Sequence, residues 1–517
     1  MNTAKKKPAD LIIAFLLAFV ILTAAFINLG KGLSSWGDDF AAYLSDSIAI
    51  SRNRLPEQTK INYYYHPSPM DDGVSEEGLV YPWGYSLFLT AVYEAVGFDR
   101  TDFSDIIYYK IPSMLALALT AGVLYLYFRR RLSRLFSALI VLFFSISADI
   151  FRLLNSLYSD IVFLAFAVLS LYAAERYREI DSRKTVSKTL YAVFCALVFL
   201  TAYEVRLNGF TLVLVSLLHH MIFAVSEKKL RSLREITFLL LPYILFGLFV
   251  VLGDLILLPV THNVSDTSIS IRGILSNVCH YAYRFVVYTS DLLGGIPAEL
   301  AVIMFVPFAV GFFAHGFKKD FIHITALFVG TLLVLFYLPF RQGMRYTYHI
   351  LPFYIYYVVM GIKTVYAFLK KKLPSKATTL LKGAAAVLTA VCLFISYGDI
   401  IASGVSNLKA DRVSEKDSPY SEASIDMYGY IRENTGDDSI ICFFKPRQLY
   451  LATERLSFRH AVNGHDVFEA DYLLMTKYDL EKGTSCANII NDENRSRFSV
   501  LYENEELILY SIVSETE

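Results

Sequence analysis

The chain has 517 residues, 55% of them hydrophobic and only 19% charged, with a mean hydropathy of +0.44. Such values exclude an ordinary soluble domain and point to helices in a lipid bilayer. Its 48 basic residues balance 48 acidic ones. The basic residues fall in short clusters between apolar segments, so nucleic acid is not an expected partner.

Lys5-Lys6-Lys7 precede a first apolar run, 11–29. It is long enough for a retained span, and no small-residue cleavage site stands out behind it. Further apolar segments follow at 106–128, 135–150, 160–175, 190–204, 209–225, 236–259, 297–317, 321–340, 347–369 and 380–400. Basic clusters at 5–7, 129–134, 176–188, 228–234, 318–319 and 370–372 belong on the cytoplasmic face. They share one face only if 83–98, a shorter apolar stretch containing Glu94, does not cross. That segment is therefore read as a re-entrant or surface-lying helix.

The fold class expected is an α-helical polytopic membrane protein with about 11 transmembrane helices plus outer juxtamembrane helices. It would lie in the plasma membrane with its N-terminus cytoplasmic. A C-terminal extracytoplasmic α/β domain follows, dividing the chain at 1–402 and 403–517. In that tail, 420–434 reads as an amphipathic helix, 439–444 and 472–475 as strands, 446–453 as a short helix and 488–497 as helical. The runs 498–502 and 507–512 read as a hairpin. The five cysteines show no metal-ligand spacing. Only Cys442 and Cys486 lie where a pair could form, and the sequence leaves that pairing open.

Chemistry-bearing residues gather on the outer side of this topology. The first outer loop, 30–82, holds Asp38 and Asp39 between Trp36 and Phe40. Carboxylates beside aromatics at the end of a span are costly to desolvate. One reading has them cap the helix that starts near Phe40; the other makes one a base for an acceptor hydroxyl. Asp160, at the outer end of a later span, is either a helix cap or an acid near the acceptor. Arg206 either pairs with Glu204 or binds a lipid phosphate. Arg341 and Arg345, in Pro-Phe-Arg-Gln-Gly-Met-Arg-Tyr, oppose the positive-inside bias. They form either an anion site or pairs with Asp38, Asp39 or Asp160. The run Tyr81-Pro82-Trp83-Gly84-Tyr85 fits a rigid interfacial turn. His66 and His280 belong to no ligand cluster.

In their order and sidedness these motifs resemble the GT-C superfamily of integral membrane glycosyltransferases. The nearest branch is that of protein O-mannosyltransferases and lipid A aminoarabinose transferases. The resemblance covers residues 10–400. It implies an inverting transferase that moves a sugar from a polyprenyl-phosphate-linked donor to an extracytoplasmic protein, glycan or lipid. It further implies that Asp38 or Asp39 is the catalytic base and that Asp160 is an acceptor-side or second acid. Arg206, Arg341, Arg345 and Tyr346 would hold the donor phosphate. No cofactor is required, a divalent cation is compatible, and metal ligands are unassigned. The family often reads Asp-Glu with a tyrosine three residues on; here it is Asp-Asp with Tyr43 four beyond Asp39. Both registers stay open, with Asp38 preferred. The alternative activity is a lipid-linked saccharide flippase. That is less expected, because no internal repeat or midplane polar site stands out.

Overall fold

The computed structural model describes residues 8–30, 36, 38–65, 78–145, 147–228, 232–259, 270–293, 295–316, 323, 325–329, 345–409, 418–461, 465–478 and 489–513, with backbone alone at 38, 148, 149 and 407–409. Arg341, Cys486, His66 and most of segment 321–340 lie outside the described residues.

Among the described residues, eight helices are long and apolar enough to cross a membrane. The first, α1 (Pro8–Ile27), packs along Ile106–Phe128, which lies against Asp160–Glu179. Next in the row come Thr185–Val205 and Leu233–Leu257. The Asp160–Glu179 helix is 20 residues long, but its last turn carries Arg176 and Arg178. Arg134–Ser145 is apolar but short. Leu351–Lys372 packs on Phe305–Gly311 and on Arg134–Ser145, and the 35-residue helix Ser375–Lys409 returns to α1. That last helix continues beyond Ser403.

The two ends of the bundle differ in charge. At one end Asp10 receives Arg129 Nε at 3.1 Å and Arg134 Nε at 2.8 Å, while Glu175 and Glu179 pair with Arg130 and Arg131. Arg178 with Glu227 belongs to the same end. Clustering acids there offsets like-charge repulsion among the arginines. At the other end of α1, the Gly30 carbonyl accepts Lys110 Nζ at 2.7 Å, and the Gly30 amide donates to Asn155 Oδ1 at 2.7 Å. These bonds pin the start of the first outer loop.

Three further helices, α2 (Asp38–Ser51), α3 (Leu55–Tyr64) and α4 (Trp83–Val96), lie at this second end. With 14 residues α4 is about 21 Å long. Both of its flanks meet the C-terminal domain. Before it, Tyr81 Oη accepts from Arg447 Nη1 at 3.5 Å; after it, Arg100 Nε donates to the Leu451 carbonyl at 2.8 Å. The helix therefore does not cross, as the basic clusters required. Its Gly84 sits against the end of Thr185–Val205: a Cβ there would lie 2.5 Å from the Glu204 carbonyl carbon and 2.8 Å from the Val205 nitrogen. Backbone cannot rotate away, so Gly84→Ala is expected to cost about 1–3 kcal/mol. Thermal unfolding in detergent, compared with the open position Gly247→Ala, measures it.

The C-terminal domain is a five-stranded sheet in the order β2-β1-β3-β5-β4. The strands are β1 (Ile440–Cys442), β2 (Leu456–Phe458), β3 (Tyr472–Thr476), β4 (Phe498–Glu503) and β5 (Leu507–Ile512). β1 runs parallel to β2 and β3, and the β4–β5 hairpin joins β3 antiparallel. Glu422–Asn434 and Pro446–Thr453 are its helices. One strand was not foreseen, β2, whose three residues are too short to show alternation, and one expectation needs correcting: 488–497 yields only a 3₁₀ turn, Arg495–Arg497, among its described residues. Asn491 and Asn494 take up local backbone amides there, in competition with a helix. Cys442 is buried in the sheet core.

Candidate active site

Four chain segments end at one point beneath the sheet domain. Asp39 lies in the first turn of α2, and Asp160 opens the Asp160–Glu179 helix, where the helix dipole favours an anion. Arg206 follows Val205, with extended backbone that turns its side chain off the helix axis. Arg345 and Tyr346 begin a 3₁₀ turn, Arg345–Thr347, that leads into Leu351–Lys372.

The Arg345 guanidinium joins them. Its Nε donates to Asp160 Oδ2 at 2.8 Å and its Nη2 to Asp39 Oδ2 at 3.2 Å. Arg206 Nη1 donates to Asp160 Oδ1. Both oxygens of Asp160 are thus engaged, and its side chain is 2% exposed, whereas that of Asp39 is 30% exposed. Tyr81 Oη donates to Asp39 Oδ1 at 2.9 Å. Aromatic faces back the cations: Arg345 lies 4.2 Å from the Tyr158 ring centroid and Arg206 5.0 Å from that of Tyr346. Tyr43 packs 4.9 Å from both Tyr81 and Tyr85 and lies within hydrogen-bond distance of Ser159 Oγ, at 3.2 Å. Burial first, and then Asp39, push the Tyr43 hydroxyl pKa up, so it stays neutral. A narrow cleft of about 10 Å³ opens beside the pairs, lined by Arg206, Asn208, Arg345, Tyr346 and His349 among others.

Sequence reasoning placed Asp39, Asp160, Arg206, Arg345 and Tyr346 on one face, and the structure brings all five together. The ion-pair reading of Arg345 is realised, with both Asp39 and Asp160 as partners. Arg206 is a correction to one alternative: it pairs with Asp160, and Glu204 takes no part. The helix-cap reading of Asp160 is also not met, since it makes no capping bond and lies inside the helix. The Asp38 side chain and Arg341 lie outside the described residues.

ArnT from Cupriavidus metallidurans in the apo state matches 96% of this chain and 97% of its own, at 13% identity and a TM-score of 0.52. The same protein bound to undecaprenyl phosphate matches at 14% identity and a TM-score of 0.50, over 98% and 99% of the two chains. The archaeal oligosaccharyltransferase AglB from Archaeoglobus fulgidus, in complex with an inhibitory peptide and a dolichol-phosphate, covers 92% of this chain and 70% of its own. Its identity is 10% and its TM-score 0.53. Both are membrane glycosyltransferases of the GT-C superfamily. The chain has the GT-C fold. At these identities the likeness is one of fold, and in sequence no family model and no curated protein matches.

Within the GT-C frame, sequence reasoning missed four residues at or behind the centre: Tyr81 as the ligand of Asp39, Tyr158 beneath Arg345, His349 in the cleft, and Arg447 behind Tyr81. One signal was available for the surrounding face, because Asp39, Tyr43 and Asp46 recur at i, i+4 and i+7 along α2. Among the described residues no group of three His, Cys, Asp and Glu is placed to hold a metal. The Arg345 guanidinium lies between Asp39 and Asp160, and a divalent cation remains compatible with the fold without being assigned to any described residue.

Asp46 stands one layer behind. It is fully buried, accepts Asn62 Nδ2 at 3.4 Å, and is pushed up to about 7 by burial, with Arg447 offsetting part of that. Its folded pKa is raised above the ordinary value, so the folded state holds the proton more tightly. Stability from this group falls as pH rises from about 4 to about 7 and is flat above. Asp46→Asn removes the dependence. Its stability relative to wild type is expected to rise by on the order of 2–3 kcal/mol between pH 5 and pH 8, measured by thermal unfolding.

Proposed function

We propose that this chain is a membrane glycosyltransferase that moves one sugar from a polyprenyl-phosphate-linked donor to an extracytoplasmic acceptor, with inversion. The observation that carries the reading is the Arg345 guanidinium suspended between Asp39 and Asp160 with Arg206 alongside. It is a preorganised, aromatic-backed pair of guanidinium groups on the GT-C fold, held in place by two carboxylates. ArnT was crystallised bound to undecaprenyl phosphate, and AglB was solved in complex with a dolichol-phosphate, which supports the donor class.

The acceptor hydroxyl attacks the anomeric carbon as the bond from that carbon to the phosphate oxygen breaks. The electron pair leaves with the polyprenyl phosphate, and the acceptor proton passes to a carboxylate of the Asp38–Asp39 pair. Asp39 is the described member, and each of its oxygens keeps a lone pair beyond the bonds given above. The leaving phosphate needs charge stabilisation more than protonation, which Arg206, Arg345, Tyr346 and, by resemblance, Arg341 supply. Donor binding trades a carboxylate partner for a phosphate. The intramolecular pairs keep the guanidinium groups ordered until then. Asp160, with both oxygens engaged and almost no exposure, acts in this reading as the fixed anchor of the two arginines, in place of the acceptor-side role the resemblance implied.

Residues 1–402 would form the catalytic membrane part in the plasma membrane. The domain at 403–517 would lie outside the cell and the N-terminus inside, a placement supported by the basic clusters at the end away from the sheet. AglB was also crystallised in complex with Zn and sulfate, which keeps a divalent cation compatible with this reading. Stereochemistry tests the mechanism. Proton NMR of the glycosylated product is expected to show the anomeric configuration opposite to that of the donor. Retention would require a covalent glycosyl-enzyme and would overturn the single-displacement reading.

A further inference from the structure

We propose that the sheet domain completes the reaction centre: Arg447, on its Pro446–Thr453 helix, is a positioning residue that holds Asp39 through the Tyr81 hydroxyl. This rests on the function proposed above.

Arg447 is 2% exposed and among the largest fully buried side chains of the protein. Its Nη1 donates to Tyr81 Oη at 3.5 Å, its guanidinium carbon lies 5.8 Å from the Tyr81 ring centroid, and Tyr81 Oη donates onward to Asp39 Oδ1 at 2.9 Å. A donor aimed at the tyrosine oxygen polarises its O–H and strengthens the bond it gives to the carboxylate. Asp39 is thereby held from two sides, by Arg345 through Oδ2 and by Arg447 through Tyr81 and Oδ1. Burying a guanidinium is costly without a counter-charge. Asp46, two helical turns along the same face of α2 and equally buried, supplies one as it ionises, at about pH 7 and above.

Docking of the domain places this arm. Trp36 lies 5.6 Å from Phe443 and 5.4 Å from Phe444, and Phe40, next to Asp39, lies 6.2 Å from Tyr420. Arg100 pairs with Glu454 at 2.9 Å, just beyond the helix that carries Arg447. A domain that only recognised acceptor would have no reason to send a buried cation towards the membrane part. The geometry instead makes orientation of the base depend on the domain being seated.

The test is a double-mutant cycle in full-length protein reconstituted with polyprenyl-phosphate sugar. Tyr81→Phe keeps the ring and removes only the hydroxyl; Arg447→Lys keeps the charge and loses the planar fork. Each is expected to lower kcat about 10- to 100-fold, with the donor KM changed less than about 3-fold, the mark of misorientation. The double variant should fall no further than the weaker single. Wild-type kcat in Tyr81→Phe, or losses that multiply in the double variant, would overturn the linkage. Should wild type transfer nothing, the functional reading fails, and the linkage is then read from thermal unfolding of Tyr81→Phe, Arg447→Lys and their double. Non-additive shifts support it; strictly additive shifts overturn it.

Discussion

Arg345→Ala is expected to abolish transfer, lowering kcat by about 10²–10³-fold or more, and to destabilise the membrane part at the same time. Both effects come from one position. Its side chain is the sole described one hydrogen-bonded to both Asp39 and Asp160, and it lines the narrow cleft beside them. Removing it leaves Asp160, 2% exposed, with only Arg206. Breaking a buried pair costs about 3–5 kcal/mol, and the surviving Arg206 bond puts the expected loss near the lower end. Arg345→Lys separates charge from geometry. An ammonium is a point charge that can serve one carboxylate at a time, so stability should recover in part while kcat stays at least about 10-fold down. Full activity in the lysine variant would contradict the bridging role. Steady-state kinetics with detergent unfolding curves on both variants settles the point.

Asp39→Asn is expected to lower kcat by about 10²–10⁴-fold, the range for removal of a general base. The amide is nearly isosteric and its oxygen still accepts from Tyr81. Its NH₂ group, however, can only confront the donors of Arg345. Polyprenyl phosphate should therefore still bind, with affinity changed by no more than about 10-fold, while the acceptor proton has nowhere to go. Titration with the lipid phosphate alone separates binding from chemistry. Asp38→Asn, run in parallel, decides the register. A collapse of kcat in that variant with near-normal rates in Asp39→Asn would move the base one residue back and leave Asp39 as an anchor of Arg345.

Much of this site was legible in the sequence because membrane topology restricts where polar residues can lie. Once 83–98 was kept from crossing, Asp39, Asp160, Arg206 and Arg345 had to fall on one face. The basic clusters that forced that choice recur in the structure as the Asp10–Arg129–Arg134 and Glu175–Arg131 pairs at the opposite end. Pairing was not legible. Glu204 is two residues from Arg206 and looked like its natural partner, yet extended backbone at Arg206 swings the guanidinium across to Asp160, on another helix. Nothing in the spacing of helix ends encodes which of them meet. Tyr81 read as interfacial punctuation because Tyr-Pro-Trp-Gly-Tyr explains itself as a turn, and its bond to Asp39 exists only after α4 folds back along α2. Arg447 was the least accessible. It sits in a domain with the composition of a soluble protein, where an arginine at the start of a short helix suggests a solvated surface and not a cation buried against the membrane part.

The most direct measurement is transfer itself, in proteoliposomes carrying radiolabelled polyprenyl-phosphate sugar and a membrane extract as acceptor source, with wild type beside Asp39→Asn and Arg345→Lys. Label should leave the lipid for acceptor with wild type and stay on the lipid with both variants. Equal transfer by all three, or lipid scrambling by wild type without transfer from any donor, would contradict a glycosyltransferase built on this pair.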